Sequence, residues 1–223
     1  MTELHHFEPA PPRRERLFPF IERHIVIGRV SDDFKSILND VLAKIPDLVI
    51  HSVKEYGYQL EIGSTLLALR PDLKNQKPRG YLSGKTFENV EGFHDPLLKR
   101  IYVFEYFKPN VLNQHLTKNT RGEAVFRHEI GHALDVASGG LSNSFWFIAA
   151  YELDFEKLIM DASMKDEMVR HFYYLQEGQA GRRETFAELF AILIGGGSDR
   201  KAVLKVAFPN SYNAVQEWIG RLK

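Results

Sequence analysis

The segment that most constrains this chain is the pentapeptide His-Glu-Ile-Gly-His at residues 128–132. Two imidazoles four residues apart lie on the same face of an α-helix, so both can reach one metal ion if this segment is helical. Imidazole nitrogens bind zinc at roughly 2.0–2.1 Å. The pattern therefore predicts a helix that presents His128 and His132 as metal ligands. The competing interpretation is a solvated helical face that happens to carry two histidines.

The residues around the pentapeptide favour the helix. Asn119 or Thr120 can cap its start, and the predicted helix runs from Arg121 to about Ser138. Two glycines at residues 139–140 then predict its end. Within it, Glu123 and Arg127 are four residues apart and are predicted to form an ion pair. The glycine at position 131 would let another element approach the helix closely.

Glu129 is the predicted general base. It follows His128 directly, so its carboxylate lies beside the metal site instead of on the ion. Zinc lowers the pKa of a coordinated water molecule to roughly 7. A neighbouring carboxylate can take the proton that this water gives up. The pentapeptide therefore predicts hydrolytic chemistry with Zn²⁺ as the cofactor.

A catalytic zinc usually has three protein ligands and one open position. The segment Glu-Thr-Phe-Ala-Glu at residues 184–188 carries two carboxylates four residues apart on a predicted helix. We assign Glu184 as the third ligand and Glu188 as the acceptor of a hydrogen bond from a ligating imidazole. The competing interpretation leaves both carboxylates in solvent. Asp135 is a second candidate for supporting a ligand, and the other candidates for the third ligand are Asp135, Asp154 and His171.

Hydrolysis of a peptide bond places negative charge on the carbonyl oxygen, and a hydrogen-bond donor near that oxygen usually helps. A tyrosine hydroxyl suits this role because it stays protonated at pH 7. We assign Tyr174 as this donor, with Tyr173 and His171 as alternatives, because all three precede the helix that carries Glu184.

The remaining pattern predicts an α+β fold with a small N-terminal sheet and a helical C-terminal half. A flexible arm is expected at residues 1–20, followed by one domain at 21–223. Apolar residues repeat at helical spacing in the first predicted helix, whereas the predicted strands are rich in Leu, Ile, Val and Tyr. The predicted helices are 32–45, 152–162, 164–175, 183–194, 199–206 and 210–221, the predicted strands are 48–53, 58–69 and 100–106, and a loop is predicted at 70–81.

Composition narrows the class of partner. The 29 basic residues balance 29 acidic ones, which gives no electrostatic reason to expect nucleic acid or an anionic membrane as the main partner. Cysteine is absent, so any zinc must be held by histidine and carboxylate. The given sequence contains no apolar run of the signal-peptide type. We therefore expect a cytoplasmic protein, or one exported by a non-classical route.

Three stretches resemble the gluzincin metallopeptidases related to the catalytic domain of anthrax lethal factor and to the Pro-Pro endopeptidases. The first is PRGYLSGKTFENVEGF at residues 78–93, the second is HEIGHALD at 128–135, and the third is ETFAELFA at 184–191. The resemblance implies a zincin-like fold and Glu184 as the third ligand. It also implies that a strand such as 101–106 pairs with an extended substrate. Those relatives carry a tyrosine seven residues before the ligand Glu, where this chain has Glu177.

The leading hypothesis is a zinc endopeptidase that cleaves an extended segment of a protein or peptide. A catalytically idle binding module with the same fold is the first alternative, although Glu129, which such a module would be expected to lose, is present. The second alternative is a toxin or effector protease delivered into another cell. The sequence does not indicate an oligomeric state.

Overall fold

A computed structural model describes residues 25–27, 29–78, 85–109, 115–161, 176, 178–195 and 200–221. The α+β class expected from the sequence is confirmed. The helices are α1 (Asp32–Leu42), α2 (Asp47–Glu55), α3 (Leu66–Leu69), α4 (Gly122–Ala137), α5 (Phe145–Met160), α6 (Gln179–Leu193), α7 (Arg200–Ala207) and α8 (Pro209–Gly220). The strands are β1 (Ile25–Ile27), β2 (Gln59–Gly63), β3 (Gly92–Asp95), β4 (Arg100–Phe104), β5 (Tyr106–Phe107) and β6 (Thr117–Lys118).

The main sheet has four strands in the order β1-β2-β4-β3. Strand β2 is parallel to β1 and to β4, whereas β3 pairs antiparallel with β4. Strand β3 therefore forms one edge of this sheet, with β4 as its neighbour among the described strands. The short strands β5 and β6 form a separate antiparallel pair.

Strand β4 separates two apolar clusters because alternate side chains point to opposite faces of a sheet. Ile101 and Val103 face the larger cluster, which also contains residues of helices α1, α2, α4, α5, α6 and α8. Tyr102 and Phe104 face a smaller cluster on the other side of the sheet. Helix α4 thus packs on the face of the sheet to which the Ile101 side chain points.

Helix α1 begins where the sequence predicts it. Ser31 has extended backbone, and its hydroxyl accepts a hydrogen bond from the Phe34 amide at 3.2 Å. The same hydroxyl donates to Glu105 Oε1, which follows strand β4, at 2.5 Å. This cap therefore also ties the start of α1 to the end of a central strand.

The predicted strand at residues 48–53 is wrong, because this segment lies in helix α2. Its β-branched residues favour a strand, but its buried side chains are Val49, Ile50 and Val53, a spacing that fits one face of a helix. Of the predicted strand at 58–69, the stretch 59–63 is strand β2 and 66–69 is helix α3. Helix α5 begins at Phe145, seven residues before the predicted start. The helix predicted at 164–175 and the arm at 1–20 lie outside the described residues.

Candidate metal centre

Helix α4 carries the two histidines of the pentapeptide one turn apart. Their ring centroids are 4.7 Å apart and the rings are nearly perpendicular, at 86°. The two Nε2 atoms are 3.1 Å apart. Both side chains are about one-seventh exposed, at 15% and 14%. The helix therefore aims two ring nitrogens at one partly accessible point.

Glu184 on helix α6 reaches the same point. Its Oε2 lies 3.2 Å from His128 Nε2 and 3.3 Å from His132 Nε2. In the described part of the chain, these three residues form a cluster whose donor atoms could hold one metal ion. The structure thus brings together the three predicted ligands from two helices, with Glu184 lying 52 residues after His132 in sequence (184 − 132).

The spacing of the three atoms fits an ion. Tetrahedral ligands at about 2.0–2.1 Å from zinc are separated from one another by about 3.3–3.4 Å. The observed separations of 3.1, 3.2 and 3.3 Å approach this value. Two imidazole lone pairs and a carboxylate oxygen also repel one another at this range unless a cation or a proton lies between them. The donor set therefore fits a divalent metal ion.

Glu188, one turn after Glu184, contacts the first histidine. Its Oε2 lies 2.9 Å from His128 Nδ1. When the carboxylate accepts a hydrogen bond from Nδ1–H, the Nε2 lone pair of His128 is left for the metal. This contact is the one expected from the spacing of the two glutamates.

The charged groups of this cluster shift one another's pKa values. Burial lowers the pKa of His128, but hydrogen bonds to Glu184 and Glu188 outweigh burial and raise it well above its usual value. Burial would raise the pKa of Glu184, but the nearby His132 and His128 hold it below its usual range. Glu184 therefore stays ionised beside the two rings, as a metal-binding carboxylate must.

Glu129 is buried on the same helix. Burial raises the pKa of its carboxyl group, although the two histidines act in the opposite direction. A carboxylate with a raised pKa is a stronger proton acceptor than one in water. The position and environment of Glu129 are thus compatible with the role of a base.

Gly131 allows helices α4 and α6 to meet, as the sequence suggested. A Cβ atom at this position would lie 2.8 Å from Ala187 Cα and 2.9 Å from Ala187 O. Both neighbours are backbone atoms, which cannot rotate away. The expectation that this glycine permits close approach of another element is confirmed, and the approaching element is the helix that carries Glu184.

Asp135 has a different role from the one expected. Its carboxylate accepts hydrogen bonds from the backbone amide and the hydroxyl of Ser142, both at 2.7 Å. Its Oδ2 is also 3.7 Å from Arg183 Nε. Asp135 therefore stabilises the turn after α4. Among the described residues it is not part of the metal cluster and makes no hydrogen bond to an imidazole.

Asp154 is also not part of the metal cluster. Its buried carboxylate accepts four hydrogen bonds, two from Asn210 and two from Ser211, at 2.7–3.1 Å. These donors lie in the first turn of α8, where backbone amides lack partners within the helix. Asp154 therefore anchors α8 to α5, which corrects its candidacy as a third ligand.

Replacing Asp154 by alanine should lower the free energy of unfolding by about 3 kcal/mol, because buried donors would lose their acceptor. The amount of metal that the protein can bind should not change, since this residue lies outside the triad. Chemical denaturation and elemental analysis of the same samples measure both quantities. Glu152→Ala, at an exposed position on the same helix, is the control and should leave both unchanged. Wild-type stability in Asp154→Ala would contradict this assignment.

Two residues near the triad were not found from the sequence. His94 of strand β3 lies against His132, with ring centroids 5.9 Å apart and planes at 17°. Tyr58, just before strand β2, places its hydroxyl 2.6 Å from His94 Nε2. Only the antiparallel pairing of β3 with β4 turns His94 toward α4, and the sequence did not reveal this strand.

The predicted hydrogen-bond donor Tyr174 and the alternatives Tyr173 and His171 lie outside the described residues, as does Glu177.

Comparisons with known proteins found a fold and no family. No protein-family model matches the chain, and no curated protein matches it. Its structure is similar to that of the Pro-Pro endopeptidase from Paenibacillus alvei, with a TM-score of 0.58 and 20% identity. The match covers 89% of this chain and 98% of that one. The similarity at this identity shows a shared fold.

Within the described ranges, no helix combines the length and apolar character needed to cross a bilayer. The segment expected to pair with substrate, 101–106, does not form a single strand at the edge of the sheet. Residues 101–104 lie in β4 between β2 and β3, and Tyr106 belongs to the separate β5–β6 pair. The edge on that side of the sheet is β3.

Proposed function

We propose that this chain is a zinc-dependent endopeptidase in which His128, His132 and Glu184 hold the metal. The observation that carries the proposal is the convergence of three donor atoms at 3.1–3.3 Å. The similarity of the fold to a Pro-Pro endopeptidase supports the peptidase class. The zincin-like character of the fold and the base Glu129 are parts of the same proposal.

The donor set favours zinc over other metals. Two imidazole nitrogens and one carboxylate oxygen, with no thiolate in the chain, match the three-ligand pattern of catalytic zinc sites. Calcium and magnesium prefer sites made mostly of oxygen ligands. Bound zinc would polarise a substrate carbonyl and lower the pKa of a water molecule.

The chain's own residues would move the proton. As water adds to the carbonyl carbon of the scissile peptide bond, a carboxylate oxygen of Glu129 accepts one of its protons. The same carboxyl group then returns that proton to the nitrogen of the leaving amine when the C–N bond breaks. Burial, which raises the pKa of Glu129, strengthens it as the acceptor in the first step.

The edge strand β3 is the proposed binding surface for an extended substrate. A strand at the edge of a sheet offers backbone N–H and C=O groups that an extended peptide can pair with. His94 on β3 packs against His132, so this edge lies beside the proposed ligands. A peptide added to β3 would therefore run past the metal site.

Cleavage of a peptide library by the purified, zinc-loaded protein tests the proposal, with mass spectrometry to locate the cut bonds. The library should contain peptides with and without Pro-Pro bonds, because the structural neighbour is named for them. We expect cleavage that stops when a chelator removes zinc and returns when zinc is restored. Zinc binding without any cleavage across the library would instead favour the idle binding module.

A further inference from the structure

His94 faces the helix that carries the proposed ligands. In the antiparallel pair β3–β4 it lies opposite Ile101, whose side chain belongs to the larger apolar cluster on the α4 side of the sheet. Gly92, two residues earlier on the same face, is so close to α4 that a Cβ there would lie 2.7 Å from Val125 Cγ1. The sheet thus holds the imidazole of His94 against α4.

Tyr58 fixes this imidazole from the other side. The Tyr58 side chain is only 1% exposed, and its hydroxyl lies 2.6 Å from His94 Nε2. Burial raises the pKa of Tyr58, so its hydroxyl keeps the proton that it can donate. When this hydroxyl donates to Nε2, the proton of a neutral His94 ring lies on Nδ1.

The two proposed histidine ligands differ in what supports them. His128 has the Glu188 carboxylate at Nδ1. In the described part of the chain, His132 has no such hydrogen bond, although a ligating histidine almost always donates its second ring nitrogen to a partner. Instead, the ring of His94 lies beside the ring of His132, and the two ring planes are within 17° of parallel.

We propose that His94, held by Tyr58, positions the ring of His132 for metal binding. This inference rests on the proposed metal site. A neighbouring ring packed along one face limits the rotation of His132, as a carboxylate does for His128. His94 is a positioning residue and not a ligand, because its Nε2 is occupied by Tyr58 and it lies outside the triad.

The test is zinc affinity, measured with zinc alone by competition with a chromogenic chelator. Tyr58→Phe keeps the buried ring but removes the hydroxyl, and should weaken zinc binding by about tenfold. Tyr56→Phe is the matched control, since it removes an exposed tyrosine hydroxyl two residues away and should bind as the wild type does. Equal affinity in Tyr58→Phe and the wild type would overturn the proposal.

Replacements of His94 separate ring packing from general stability. His94→Phe retains a flat ring and should bind zinc more tightly than His94→Ala, which should lose about 10–100-fold. The visible absorption of Co²⁺ bound in place of zinc reports ligand geometry, which a loss of stability alone leaves unchanged. We expect altered Co²⁺ bands in Tyr58→Phe and His94→Ala. Wild-type bands in both variants would contradict the positioning role. A wild-type protein that binds neither zinc nor Co²⁺ would contradict the proposed metal site itself.

Discussion

Glu129→Gln is expected to lower the rate constant for peptide cleavage by at least about 100-fold. Glutamine has nearly the shape of glutamate, but its amide cannot accept and return a proton. The three ligand atoms belong to other residues, so the variant should still bind one zinc per chain. Single-turnover cleavage and elemental analysis of the same preparation measure the two quantities together.

The matched control is Glu156→Gln, which makes the same chemical change at an exposed position on α5. It should cleave at the wild-type rate. The variant Glu129→Gln also reports any contaminating protease, because its residual activity would equal that background. Cleavage within tenfold of the wild type would mean that another group acts as the base. Loss of zinc from Glu129→Gln would mean that this carboxylate contributes to the metal site.

Gly131→Ala should disrupt the metal centre without touching a ligand. The added methyl group would lie 2.8 Å from Ala187 Cα, so helices α4 and α6 must move apart. Overpacking of this kind typically costs about 1–3 kcal/mol of stability. Since His128 and His132 are on one helix and Glu184 is on the other, the movement should also weaken zinc binding by at least tenfold. Chemical denaturation of the apo protein and chelator competition measure these effects.

Gly220→Ala is the control for this prediction. It makes the same substitution in helix α8, where a Cβ would have no neighbour within 4 Å. Alanine is a better helix former than glycine, so this variant should be as stable as the wild type or slightly more stable. Gly131→Ala with wild-type zinc affinity would show that the approach of the two helices is not what sets the ligand geometry.

The local features of α4 could be predicted because short-range chemistry determines them. Glu123 and Arg127 form the expected ion pair, and Gly139 and Gly140 adopt positive φ after the helix ends. The segment 48–53 could not be assigned in this way, because its β-branched residues favour a strand in isolation. Its packing against the larger apolar cluster, which depends on the whole fold, makes it a helix.

The same distinction holds at the site. Spacing alone indicated that Glu184 and Glu188 lie opposite the histidines. Residues four apart share one face of a helix, and two such faces can pack against each other. The spacing did not reveal the partners of Asp135 and Asp154. Asp135 binds Ser142 in the turn after its own helix, and Asp154 binds Ser211 far along the chain. His94 and Tyr58 are brought together by the registers of β2 and β3 on their shared neighbour β4, and no residue spacing encodes that contact.

The metal content of the purified protein tests the central claim most directly. We predict one zinc per chain in the wild type after incubation with zinc and dialysis. In Glu184→Ala and His132→Ala, each of which removes one donor of the triad, zinc should fall well below one per chain. A wild type without zinc, or a Glu184→Ala variant that retains a full equivalent, would contradict the proposed site.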